Sequence, residues 1–416
     1  MLNYKINKLP NGLSLITAPI TTTEAVTVLF LVKIGGRYEL PEQQGISHFL
    51  EHVFFKGTKK RPNAEIIAKE LDTLGANYNA FTSYEYTGFF IQSDACDFEK
   101  SLELLSDLFL NPTFPAKDIE REKNVVIEDI NMHHDVPQEY VWVLNQRQMF
   151  PAISLGMDLG GSAETVKKLD RTDVINYFKN GYRADSTCIV ICGNPKNHGW
   201  HKACEKYIKM QNSREKTVFE EFEIKPIEKL SQQVRKVDQA HFVLSYLTFP
   251  KRDPRRYALS LLSTLLAGGM SSRLFTEIRE RRGWAYYVKS DVSGYSDIGT
   301  FSIYAGVQKD KLNDSLKIIQ TQIGDLCQNG PRNSELERAK SNLRGHLALA
   351  LEDSFEIASY LAEESIYEVK IRQPEEIIDN INKVSKEDIK SLSKDIFNPD
   401  KMGLSIVGPK EYKIEI

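Results

Sequence analysis

Two stretches of this chain run through the same elements in the same order, and that internal repeat limits the fold more than any other feature of the sequence. In the first, Thr87-Gly-Phe-Phe-Ile-Gln reads as a strand, Phe98-Glu-Lys-Ser-Leu-Glu-Leu-Leu as an amphipathic helix, Asn111-Pro112 as a break and Asp118-Ile-Glu-Arg as a new helix start. In the second, Gly299-Thr-Phe-Ser-Ile-Tyr is the strand, Asn313-Asp-Ser-Leu-Lys-Ile-Ile the helix, Asn329-Gly-Pro331 the break and Ser334-Glu-Leu-Glu-Arg the helix start. Ser101-Leu102 answers Ser315-Leu316 and Glu120-Arg121 answers Glu337-Arg338, at offsets of 214 and 217 residues. Shared order, breaks and offset favour duplication over a chance likeness of two amphipathic helices.

Around the repeated block, strand-like runs (Val26 to Ile34, Thr187 to Cys192, His241 to Thr248, Gly403 to Val407) alternate with helical patterns such as Ala64 to Leu74 and Tyr257 to Leu266. The expected fold is α+β, with two homologous domains that are each a mainly antiparallel sheet with helices packed against it. A charge-rich stretch, 211–232, reads as a linker and sets the expected domains at 1–210 and 233–416.

Composition removes whole classes of partner. With 54 Lys and Arg against 57 Asp and Glu, the formal charge of −3 offers no field for nucleic acid or an anionic membrane. The apolar run Ala25 to Val32 falls far short of the roughly 20 residues that span a bilayer. Met1-Leu2-Asn3-Tyr4-Lys5 lacks the basic start and apolar stretch of a secretory signal, so a cytoplasmic protein is expected. The five cysteines are odd in number and form no CxxC, which argues against a disulfide framework or a cysteine zinc site. His133-His134 and His198-Gly-Trp-His201 have no carboxylate pattern beside them and read as solvated, and Gly156, Gly160 and Gly161 precede no GKS or GKT of a phosphate loop.

The sharpest local signal is His48-Phe-Leu-Glu51-His52, within an apolar, proline-free run that reads as helix. Positions i, i+3 and i+4 share one helix face, so two imidazoles can meet one ion with a carboxylate within reach of a water on it. A third ligand must come from elsewhere. The helix starting near Asp118 offers Glu128, set among Val125, Ile127 and Ile130, where an unpaired carboxylate would be costly, although a glutamate on a solvated helix face fits the spacing equally well.

His48-x-x-Glu51-His52 with Glu128 76 positions beyond the second histidine resembles the inverzincin zinc metallopeptidases of the pitrilysin and insulin-degrading-enzyme superfamily. The chain's length resembles the short branch, which includes mitochondrial processing peptidase subunits and their bacterial relatives. The resemblance implies that His48, His52 and Glu128 hold one Zn²⁺ per chain and that Glu51 is the general base. Some relatives carry an acidic residue seven positions before the distal ligand. Here that position is Arg121, which leaves the carboxylate that orients a ligand histidine open between Glu122 and Asp129.

Two further stretches carry the resemblance. Gly75-Ala-Asn-Tyr-Asn79-Ala80-Phe81-Thr82-Ser83 is similar to the family's exposed edge strand, which implies that Asn79, Ala80, Phe81 and Thr82 bind substrate as an added strand. The run from Gly268 to Tyr286 resembles the family's Arg/Tyr segment, whose Arg279 and Tyr286, seven apart and two turns if helical, would steady the substrate backbone and the oxyanion. Without the resemblance that pair reads as an Arg and a Tyr packed on each other. The second repeat has no HxxEH and carries Gly345 where a distal ligand would fall, so only the first domain should hold metal.

The implied activity is zinc-dependent endopeptidase action on peptides or unfolded, presequence-like segments inside a closed chamber, by a homodimer or by pairing with a homologous subunit. The alternative is a non-catalytic or partner-dependent subunit of a processing-peptidase-like complex, against which the intact HxxEH speaks.

Overall fold

The apolar runs form two sheets in the computed structural model of the chain, which describes residues 2–9, 11–196, 199–210, 218–367 and 370–414. The first contains β1 (Lys5–Lys8), β2 (Ser14–Pro19), β3 (Ala25–Val32), β4 (Asn77–Thr82), β5 (Thr87–Asp94) and β6 (Thr187–Gly193), in the order β1-β2-β6-β3-β5-β4. The second contains β7 (Leu230–Val234), β8 (Gln239–Thr248), β9 (Ala285–Gly294), β10 (Gly299–Gln308) and β11 (Met402–Gly408), in the order β7-β11-β8-β10-β9. From β2 onward the two orders match strand for strand. In each, the first pair is parallel and the rest are antiparallel. The repeat in the sequence is a repeat of topology, and the α+β class is as the sequence implies.

The helices repeat too. After β3 come α1 (Ile46–Phe54) and α2 (Ala64–Thr73), and after β5 come α3 (Phe98–Leu110), α4 (Ala116–Asp135) and α5 (Pro137–Met149). The second copy has α6 (Arg256–Ala267) after β8, then α7 (Leu312–Asn329), α8 (Asn333–Ala350) and α9 (Ser354–Tyr367) after β10.

Two compact units result, neither continuous in sequence: Met1–Ile130 with Met157–Glu220 and Ala348–Gln373, and Asn131–Gly156 with Glu221–Leu347 and Pro374–Ile416. They differ from the division at 1–210 and 233–416 chiefly by one helix each way. In the first unit, Ile357, Ala358, Leu361 and Ala362 of α9 cluster with Leu29, Leu31, Val190 and Cys192. The alternate residues Val28, Phe30, Ile189 and Ile191 cluster with Phe49 and Phe54 of α1 and Leu105 and Phe109 of α3. Covered on both faces, β3 and β6 are apolar at nearly every position instead of alternating. In the second unit α5 packs on β11 and β8, with Val141 against Val243 and Val407.

Residues 230–232 of the expected linker open β7, where Leu230 pairs with Leu404. Its Leu-Ser-Gln-Gln-Val is too short and polar to stand out as a strand. Residues 211–217 of that linker and His198 lie outside the described residues. Among the described residues no helix is long and apolar enough to cross a membrane.

Candidate metal centre

Helix α1 begins where Gly45 takes φ 90°, and a Cβ there would lie 2.5 Å from the Gly160 carbonyl oxygen, so the turn requires glycine. In place of a side-chain cap, the Glu39 carboxylate accepts the N–H groups of Gly45 (2.7 Å) and Ser47 (2.8 Å). Burial pushes the Glu39 carboxyl up to about 7 against the pull of those bonds. α1 buries Ile46, Phe49, Leu50, Val53 and Phe54, which leaves His48, Glu51 and His52 half-buried on its other face.

The two imidazoles turn toward each other. His48 Nε2 and His52 Nε2 are 3.2 Å apart, and Asp129 Oδ2 of α4 lies 3.3 Å from His48 Nε2. Tetrahedral zinc, with bonds of about 2.0 Å to nitrogen and oxygen, sets neighbouring donors about 3.3 Å apart, so these separations match edges of such a site. The three donors lie within 4.8 Å of one another, and among the described residues no other three His, Cys, Asp or Glu do so.

The carboxylate in this group is Asp129, not Glu128. Glu128 is exposed and outside the donor group, because at about 100° per residue one position moves a side chain almost a third of a turn around α4. Seven positions before Asp129 stands Glu122, which is acidic and buried, where the count from Glu128 meets Arg121. Glu122 Oε1 is 3.4 Å from His52 Nδ1, and its Oε2 is 2.8 Å from Lys56 Nζ. Burial raises the Glu122 carboxyl, but the bonds from His52 and Lys56 outweigh it and hold the group below its usual range. Of the two candidates, Glu122 is the carboxylate in contact with the Nδ1 of His52, the geometry of an orienting partner, while Asp129 belongs to the donor group itself. Lys56 was not singled out in the sequence, where it is one lysine among many.

Glu51 has a different partner. Its Oε2 accepts the Thr82 hydroxyl at 2.5 Å. Burial raises the Glu51 carboxyl, Thr82 and His52 pull it down, and the charge of Asp129 adds to the rise; the net shift is upward.

Thr82 belongs to β4, the edge strand packed beside α1. The Ser83 N–H donates to the Tyr86 carbonyl at 2.8 Å, and by antiparallel alternation the backbone groups of Ala80 and Thr82 then face the free edge. Consistent with this, the Ala80 N–H donates to Asn79 Oδ1 at 2.9 Å instead of to β5. Phe81 points to the opposite face, toward Phe355, and only glycine at position 88 leaves room for its ring.

Arg279 and Tyr286 do not share a helix. Arg279 lies in a π-helical turn, Phe275–Glu280, that ends before Gly283 at φ 63°, and Tyr286 is the second residue of β9, the edge of the second sheet. The Arg279 guanidinium donates to the Tyr286 carbonyl and lies 5.1 Å from the centre of its ring, while the ring itself is 74% exposed.

A family profile described as Insulinase (Peptidase family M16) matches residues 15–158, which hold the donor group, and one described as Peptidase M16 inactive domain matches residues 168–343. An uncharacterized zinc protease of Bacillus subtilis is 33% identical over 399 residues, 96% of this chain and 97% of its own. One from Rickettsia bellii is 32% identical over 418 residues, 98% of each chain. Among solved structures, a protease from Helicobacter pylori superposes with a TM-score of 0.90 at 20% identity, over 98% of this chain and 100% of that one. A peptidase M16 inactive domain from Pseudomonas fluorescens gives 0.90 at 19% identity, over 99% of each. Likeness at such identities speaks for the fold alone.

Proposed function

This chain belongs to the insulinase-type M16 peptidase family, and from that membership we propose that it is a zinc-dependent endopeptidase, with one zinc per chain, acting on peptides and unfolded, presequence-like segments. The carrying observation is the convergence of His48, His52 and Asp129 at zinc-like separations, with Glu51 on the same helix and an open strand edge alongside.

When bound, zinc supplies a Lewis acid that polarises the scissile carbonyl and lowers the pKa of water. The chain's own groups do the rest. Glu51, whose affinity for protons burial has raised, takes the proton of the attacking water and returns it to the leaving amine. Glu122 and Lys56 fix the His52 ring. Along β4 the Ala80 and Thr82 backbone groups pair with an extended peptide, Asn79 releasing the Ala80 N–H as it docks. Tyr286 stands exposed on its edge strand, free to meet a second copy or a homologous subunit, and in such a pair Arg279 and Tyr286 of one copy would steady the substrate carbonyl oxygen at the other's donor group. An oxyanion donor of this kind is worth about 3 kcal/mol.

The test is digestion of a mixed peptide library by the purified chain, with metal analysis and mass spectrometry, with and without chelator. Cleavage that the chelator abolishes and zinc restores is expected. A folded, zinc-loaded chain that leaves every peptide intact refutes autonomous activity and favours the partner-dependent subunit.

A further inference from the structure

Thr82 stands where two parts of the site meet. Its backbone belongs to the strand edge, with N–H and C=O facing outward, while its side chain lies on the face beside α1 and donates to Glu51 at 2.5 Å. A hydroxyl on a carboxylate is a charge-assisted bond, about twice as strong as a neutral one. Among the described residues Thr82 is the one hydrogen-bond partner of Glu51, and no lysine or arginine is paired with it.

A glutamate side chain without a tether spreads over several rotamers. With Oε2 fixed by Thr82, the second oxygen, Oε1, has a defined place and is the one left to take a proton. We infer that Thr82 is a positioning residue for the base: the strand that docks the peptide also sets the carboxylate that acts on it. This deepens the peptidase reading and rests on it for its kinetic consequence, whereas the tether itself is a property of the chain without metal. The competing explanation is packing, since Thr82 also faces Thr87 across the strand pair.

Two variants separate the explanations. Thr82→Val keeps the shape and removes the donor, and Thr82→Ser keeps the donor and removes the methyl. Losing a hydrogen bond to a charged group should lower kcat of Thr82→Val by about tenfold or more, with KM within about twofold and zinc content unchanged. Thr82→Ser should stay within about threefold of the parent. Crystal structures of both variants without metal give a readout independent of turnover: the Glu51 carboxylate should leave its position, or split between rotamers, in Thr82→Val and stay in Thr82→Ser. An unmoved Glu51 in Thr82→Val, equal impairment of both variants, or a KM effect with kcat intact overturns the inference. A parent that cleaves nothing overturns the peptidase reading instead, and the two structures still decide the tether.

Discussion

Replacing Asp129 with alanine should strip zinc from this chain, and replacing its neighbour Glu128 should not. The donor group has three protein atoms, so Asp129→Ala leaves two imidazole nitrogens 3.2 Å apart and no carboxylate. Structural zinc sites with four donors bind with about 10–16 kcal/mol, which spread evenly is about 3 kcal/mol per donor, or a loss of about two decades in affinity. Glu128 is exposed and outside the group, so Glu128→Ala should bind within about threefold of the parent. Competition with a chromophoric chelator at fixed pH measures all three affinities, and circular dichroism checks that the variants fold. Parent-like affinity in Asp129→Ala, or a matching loss in Glu128→Ala, would show that the third ligand had been misassigned.

Glu51→Gln keeps shape and volume but cannot take a proton, so zinc should stay while turnover drops at least the roughly 100-fold that a positioned base supplies; metal analysis beside kinetics checks this. Ala80→Pro removes the N–H that faces the free edge and should raise KM strongly with zinc retained, and an unchanged KM in a folded variant would count against strand addition at β4. If Arg279 and Tyr286 act across a homodimer, mixing Glu51→Gln with Tyr286→Phe chains should restore about a quarter of parental activity, since random pairing makes half the dimers mixed and each has one intact site. No recovery despite verified subunit exchange would rule that arrangement out. Glu39, raised to about 7 by burial, holds its proton more tightly folded than unfolded, so its contribution is full below about pH 4.5 and is lost as pH rises through 7, on the order of 3 kcal/mol. Urea unfolding should show stability falling from about pH 5 to 8 in the parent and a flatter curve in Glu39→Gln, and a parent curve that rises over that range contradicts it.

What was legible in the sequence was local. β5 and β10 begin where their runs begin, and α3 and α7 start within a residue of the expected position, because capping, breaks and apolar period are written in neighbouring residues. The exchange of α5 and α9 was not legible. α9 is apolar enough to pack on a sheet, but nothing in Ser354–Tyr367 says which of two similar sheets receives it, since both present strands of the same order and character. One trace was available: β3 and β6 are apolar on both faces, which demands a cover on each side. The identity of the second cover is a tertiary fact.

The third ligand shows the limit most sharply, because the motif within one helix was readable and the register between two helices was not. His48, Glu51 and His52 share a face by spacing alone, whatever packs against them. Choosing between Glu128 and Asp129 requires the rotation of α4, and the apolar neighbours of Glu128 do not fix it, because Val125 is 47% exposed. The residues that fix the rotation are Ile119, Glu122, Val126 and Ile130, the buried stripe of the helix. Measured from Glu122, Asp129 is seven positions on and about 20° away around the axis, while Glu128 is about 120° away. A buried glutamate two turns before an aspartate is therefore the stronger signal: the same rotation that turns Glu122 toward His52 turns Asp129 toward His48, so the two carboxylates are placed together, and neither contact can be changed without moving the other.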